Sequence, residues 1–213
     1  LSKDFVSGWE QKREPSAGDK IRDALKPAGP LKPRLETAIR SIQMQMQRLD
    51  QINTRLSDRQ RVMFEKVVDA VKRHDQARAT VYANEVSEIR KMVKLITQSR
   101  LALESIVLRL GTVEDLGDIV VQLSPAIRVV SNVSRSIGAI VPEAEKGMTD
   151  ISQMLAGILV EAGQTGNYNV NFDTANEDAE KIMAEAQAVA ETRLKEQFPD
   201  LPIPGSTSQS TKQ

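Results

Sequence analysis

The sequence predicts an all-α protein: a long antiparallel helical hairpin with additional shorter helices behind it. Three observations carry that expectation. From Arg34 to Leu110 there is neither glycine nor proline, whereas an average globular helix runs about 11–12 residues. Apolar residues within that stretch recur at alternating spacings of three and four, the period of a helix seam. Of the 213 residues, 40% are hydrophobic but only 3% are aromatic. A core of Leu, Ile, Val, Ala and Met suits helix packing better than a β-sandwich.

The chain opens with LSKDFVSGWEQKRE, in which Leu1, Phe5 and Trp9 are four apart and share one helical face, flanked by Lys3, Lys12 and Arg13. Such a stretch either inserts shallowly into a bilayer or covers the hairpin's own core. Pro15, Pro27, Pro30 and Pro33 mark residues 15–33 as a linker, with a helical turn or two over 17–26. Residues 1–32 thus form an N-terminal amphipathic and basic segment.

The helical core is expected over 33–163. Its first seam reads Leu35, Ile39, Ile42, Met46, Leu49, Leu56, Met63, Val67, Ala70, with polar Asn53 and Gln60 in the same register. The second reads Tyr82, Val86, Ile89, Val93, Ile96, Leu103, Val107, Leu110, interrupted by Arg100. Between them KRHDQARAT, residues 72–80, is polar nearly all round. Two seams joined by a polar patch make an αα-hairpin. Ser57 with Gln60 forms a capping box that would put the tip at 57. The polar patch at 72–77 puts it later and leaves arms of comparable length, the first about 60 Å long at 1.5 Å per residue.

After Leu110 the punctuation becomes dense. Thr112 with Asp115 predicts a cap for a helix over 112–123. Ser124-Pro125 reads as an N-cap followed by proline at the first helical position, hence a second helix and a joint. Pro142, Glu143 and Glu145 start another, with acids at its positive end. Its stripe of Met148, Ile151, Leu155 and Ile158 ends near Gly163. A loop, GQTGNYNVNF, follows at 163–172. Thr174 and Glu177 form a capping box that opens a last, Ala-rich helix to about Gln197, so that 164–197 is a loop plus a C-terminal helix. The apolar face of that helix (Ala179, Met183, Ala186, Ala190, Leu194) is mostly small, which predicts weak docking and a regulatory role. Residues 198–213 form a Pro-rich tail. Each proline removes an amide donor and fixes φ, so FPDLPIP is neither helix nor central strand.

The net charge of zero hides a split. Residues 1–110 hold 22 Lys and Arg against 14 Asp and Glu; residues 111–213 hold 7 against 15. The first half therefore suits an anionic surface, and the second suits folding back to neutralise it. Lys12, Arg13, Lys20, Arg22, Lys26, Lys32, Arg34 and Arg40 crowd the early segment. Near an anionic leaflet each is worth roughly 1 kcal/mol, screened by salt. With Phe5 and Trp9 they form the expected membrane-binding set. Nucleic acid is not expected, because aromatic stacking platforms are missing and the positive charge is spread along a helix.

The chemistry of an enzyme is absent. There is no cysteine and one histidine, His74, in the polar patch. Gly111 and Gly117 lack the lysine and spacing of a phosphate loop. Glu143, Glu145, Asp173, Glu177 and Asp178 sit at helix starts, where they complement the dipole. The expectation is a non-enzyme with no catalytic residue, cofactor or metal. No apolar run approaches the ~20 residues that span a bilayer, and no signal-peptide core is visible.

The stretch ARATVYANEVSEIRK, 77–91, resembles the start of the second hairpin helix of ESCRT-III proteins. A basic hairpin, an acidic helical second half, a detachable last helix and a Pro-spaced tail fit the same family. From about residue 33 to 204 the chain looks most like an archaeal cell-division protein of the CdvB group, in a short form without the C-terminal winged-helix domain. The resemblance implies a subunit, cytoplasmic and peripheral at the membrane of the division site, that polymerises with itself and with paralogues into membrane-remodelling filaments. It also implies disassembly by a AAA ATPase whose MIT domain grips the tail. FPDLPIP is similar to the proline-rich kind of MIT-interacting motif, with Phe198, Pro199, Leu201, Pro202, Ile203 and Pro204 as the contacting residues. The helical kind fits badly: Arg193-Leu194 is present, but the further leucines are not. The alternative is a dimeric coiled-coil adaptor with no membrane role.

Overall fold

The computed structural model describes residues 31–113, 116–166, 172–198 and 201. Five helices follow one another: α1 Leu31–Lys72, α2 Gln76–Gly111, α3 Leu116–Ile137, α4 Pro142–Gly166 and α5 Phe172–Gln197. There is no strand among the described residues. The expected segment 1–32 falls almost wholly outside them.

α1 begins at Leu31, before Pro33 rather than after it. A proline in the first turn is tolerated because its missing N–H has no intrahelical acceptor there in any case. The hairpin turns at 73–75, as the polar patch predicts, and not at Ser57, which lies inside α1. The turn is a Schellman closure. His74 takes the left-handed conformation (φ 57°). Its N–H donates to the Val71 carbonyl and the Asp75 N–H donates to Ala70, each at 3.0 Å. The Asp75 carboxylate then caps α2 by accepting from the Arg78 N–H at 3.0 Å. The chain's one histidine is thus an exposed turn residue.

The arms pair symmetrically about that turn. Arg59 meets Glu85 at 2.6 Å, Lys66 lies over the Tyr82 ring, and Arg100 meets Asp50 at 2.8 Å. This accounts for the cation in the second seam: Arg100 reaches sideways to Asp50 and to Glu104, 3.0 Å away. The first seam differs from expectation in its burial: Leu56 and Met63 are only half-buried, and at two other positions a neighbouring residue is buried instead. Ala38 and Gln45 are buried, whereas Ile39 and Met46 are only partly so. α1 has two neighbours at this end, α2 and α4, and its buried face turns to serve both.

One core holds the base together. It combines Leu35, Ile42 and Leu49 of α1 with Ile96, Leu103, Ile106 and Leu110 of α2. Leu123, Val130 and Ile137 of α3, Met148, Leu155 and Ile158 of α4, and Ile182 of α5 complete it. Toward the tip the hairpin buries a separate, thinner seam: Gln60, Val67 and Ala70 against Ala79, Val86 and Ile89.

α3 corrects the sequence reading. It is one helix across Ser124-Pro125, not two. An interior proline costs about 3 kcal/mol. Here Leu123, Ala126, Val129 and Val130 are fully buried on either side of it, and their packing outweighs that cost. α4 starts at Pro142 as expected and runs on to Gly166, and α5 starts at Phe172, which puts Thr174 inside the first turn rather than at the cap.

Candidate functional site

The contacts of the last helix are made where α5 meets the hairpin. α5 lies along α2 and α3. Ala175, Ala179, Ile182, Ala186 and Ala190 are its buried residues. Four of these five offer a single methyl, worth about 0.8 kcal/mol each against 1.5–3 for a Val, Leu or Ile side chain. The interface is close but thin, as the small face predicts.

Polar contacts set its register. Lys94 Nζ meets Glu191 Oε1 at 2.7 Å, and Gln187 donates to the same oxygen at 3.0 Å. These two hydrogen bonds, with the charge of Lys94, hold the Glu191 carboxyl below its usual range. Gln98 Nε2 donates to the Met183 carbonyl at 3.4 Å. Arg90 stacks its guanidinium 5.6 Å from the centre of the Phe198 ring, and the Phe198 N–H extends the helix by donating to Leu194 at 3.1 Å. Arg90, Lys94 and Gln98 are spaced by four, so one stripe of α2 beside the seam receives α5. That spacing was visible in the sequence but carried no sign of its partner. Glu177, Glu180, Glu185 and Glu196 remain exposed. Lys94–Glu191 is the ion pair that joins the acidic helix to the hairpin among the described residues.

Of the expected tail contacts, Phe198 and Leu201 are half-buried. Pro199, Pro202, Ile203 and Pro204 lie outside the described residues. Of the expected membrane set, Lys32 and Arg40 are exposed at the start of α1, Arg40 reaching Glu36 at 3.9 Å. Arg34 is turned the other way: it ion-pairs with Glu161 of α4 and passes against Gly157, so it ties α1 to α4. Phe5, Trp9, Lys12, Arg13, Lys20, Arg22 and Lys26 lie outside the described residues.

A second contact between α1 and α4 went unforeseen. Gln45 is 7% exposed, and its Oε1 has no hydrogen-bond partner. It lies against Gly147, where an added Cβ would overlap its amide. A glutamine at a seam position gives no warning that a glycine of a later helix will face it.

Among the described residues, no group of three or more His, Asp or Glu side chains is placed to hold a metal ion, and no helix is long and apolar enough to cross a membrane.

A long two-helix arm and three shorter helices at its base, the last of them thinly docked, define an all-α, ESCRT-III-like fold. The chain is 37% identical over 209 residues to Cell division protein B1 of Sulfolobus acidocaldarius, covering 98% of this chain and 94% of that protein. It is also 37% identical over 162 residues to Cell division protein B of the same organism, covering 76% of this chain and 62% of that protein. It belongs to the CdvB group of archaeal cell-division proteins. No family model and no solved structure matches it.

Proposed function

We propose that the chain is a polymer-forming subunit that acts in archaeal cell division by constricting membrane, and that the described structure is its closed state. The observation that carries this reading is α5 seated on α2 and α3 through alanines, with Lys94–Glu191 and Arg90–Phe198 at its far end. A helix held so thinly is released at low cost. Its release uncovers the stripe of Arg90, Lys94 and Gln98 and frees α2 and α3 to pair with neighbouring subunits. The basic segment that includes Lys32 and Arg40 faces the anionic membrane, with Phe5 and Trp9 as shallow anchors.

The tail serves the reverse step. FPDLPIP lies extended in the helical groove of the MIT domain of a AAA ATPase, which pulls subunits from the polymer. Proline lowers the cost of ordering the segment. Two or three apolar anchors, less that cost, correspond to a Kd on the order of 10 μM.

The test is truncation after Gly166. Light scattering at equal concentration is expected to show polymer at several-fold lower protein than the full chain requires, and negative-stain images with anionic vesicles are expected to show filaments or rings on lipid. A truncated chain that stays monomeric removes the closed-state reading. Discrete dimers with no lipid association replace it with the coiled-coil adaptor.

A further inference from the structure

A cavity of about 470 Å³ lies between α3, α4 and α5. α3 supplies Ser124, Arg128, Ser131 and Arg135 to its wall, a spacing of four, three and four that puts them on one helical face. This polar stripe runs along a helix whose other face is buried in the core. Asn132 of α3, Ser152 of α4 and Asn176 and Glu180 of α5 complete the polar lining. Ser124 is only 5% exposed, and its hydroxyl has no hydrogen-bond partner. Arg135 is braced by Asn132 at 2.5 Å. Arg128 has no ion-pair or hydrogen-bond partner among the described residues.

We infer that this cavity binds a phosphorylated polyol. The chemistry of the lining selects it. Two guanidiniums on one helical face match a phosphate better than any neutral group, because each offers forked N–H donors. The unpartnered Ser124 hydroxyl supplies a further donor, and an unmade buried hydrogen bond is a standing cost that a ligand oxygen removes. Glu180 opposes a bare dianion, but it accepts hydroxyl protons, as does the Asn176 carbonyl. A phosphate toward Arg128 and Arg135 with hydroxyls toward Glu180 and Asn176 satisfies both sides. The cavity has room for such a molecule, which a single phosphate leaves unfilled. The ligand then bridges α3 to α5 and holds the last helix down.

The shared chemistry has two sources, a soluble phosphorylated polyol or a lipid headgroup, and one experiment with two arms distinguishes them. Inositol monophosphate is titrated into the full chain by calorimetry without membrane, and amide exchange is followed over 176–190. Saturable heat and exchange slowed several-fold in α5 are expected. Arg128→Gln with Arg135→Gln is expected to weaken binding at least tenfold, and Ser124→Ala about threefold, with unchanged helical circular dichroism. In the second arm, phosphatidylinositol vesicles that compete with the soluble probe assign the lipid as the source; failure to compete assigns the soluble molecule. No saturable heat, equal binding by the double variant, or the same response to sodium chloride at matched ionic strength overturns the site. Because the first arm uses neither membrane nor polymer, its failure leaves the constriction reading untouched.

Discussion

The two ends of the hairpin are built differently. Toward the tip, α1 and α2 stabilise each other through one seam that includes buried Gln60. At the base the same two helices enter a core shared with α3, α4 and α5. The tip end is specified locally, since every partner lies within about thirty residues along the chain and the 3,4 spacing is sufficient. The base depends on helices a hundred residues away, and it carries the described glycines and the unpartnered side-chain oxygens of Gln45 and Ser124. One seam shared by two helices at the tip and one core shared by five at the base are therefore specified over different chain distances.

The largest expected effect tests that difference in the core. Leu103→Ala removes a fully buried side chain at the base and is expected to cost about 3 kcal/mol, within the range for such cavities. Val86→Ala, equally buried near the tip, is expected to cost about 1.5 kcal/mol for two methyl groups. Urea denaturation gives both values, and amide exchange gives their extent: global for Leu103, confined to the distal arm for Val86. Equal costs with the same exchange pattern would merge the two regions into one cooperative unit.

The difference also sets what was legible in the sequence. The hairpin, its late tip, the helix start at Pro142 and the alanine face of α5 follow from spacing and turn chemistry. Ser124-Pro125 misled because local rules favour a break there, while the burial of Leu123, Ala126, Val129 and Val130 is a tertiary effect. Gln45 beside Gly147 and Arg34 beside Glu161 were invisible for the same reason: nothing in a seam names the later helix that will cross it. Arg90, Lys94 and Gln98 stood in plain periodicity, yet a stripe of polar residues four apart on a long helix ordinarily meets only water.

Two substitutions of intermediate effect sharpen the contrast. Gln45→Met replaces a buried amide whose Oε1 is unpartnered with an apolar side chain of similar length, and is expected to raise stability by about 1 kcal/mol while slowing any opening of α1 from α4. A loss of stability would mean that the amide is satisfied in solution. At the other end, His74→Gly removes the cost of a left-handed residue with a Cβ (φ 57°). It is expected to raise the unfolding midpoint by an amount equivalent to about 0.5–1 kcal/mol, with no effect on α5.

The smallest effect falls on the docked helix and is read by pH. Glu191 is held below its usual carboxyl range by its hydrogen bonds to Lys94 and Gln187 and by the charge of Lys94. A depressed folded value means that ionised Glu191 favours docking above the ordinary carboxyl range, and that this contribution fades as pH falls through it. Amide exchange in α5 is therefore expected to quicken relative to the distal hairpin as pH is lowered through that range, after correction for the intrinsic rate. Glu191→Gln is expected to show the quicker α5 exchange already at neutral pH and to lose the pH step. If wild type and variant titrate alike, the ion pair does not hold the helix, and the alanine face with Ile182, Gln98–Met183 and Arg90–Phe198 holds it instead.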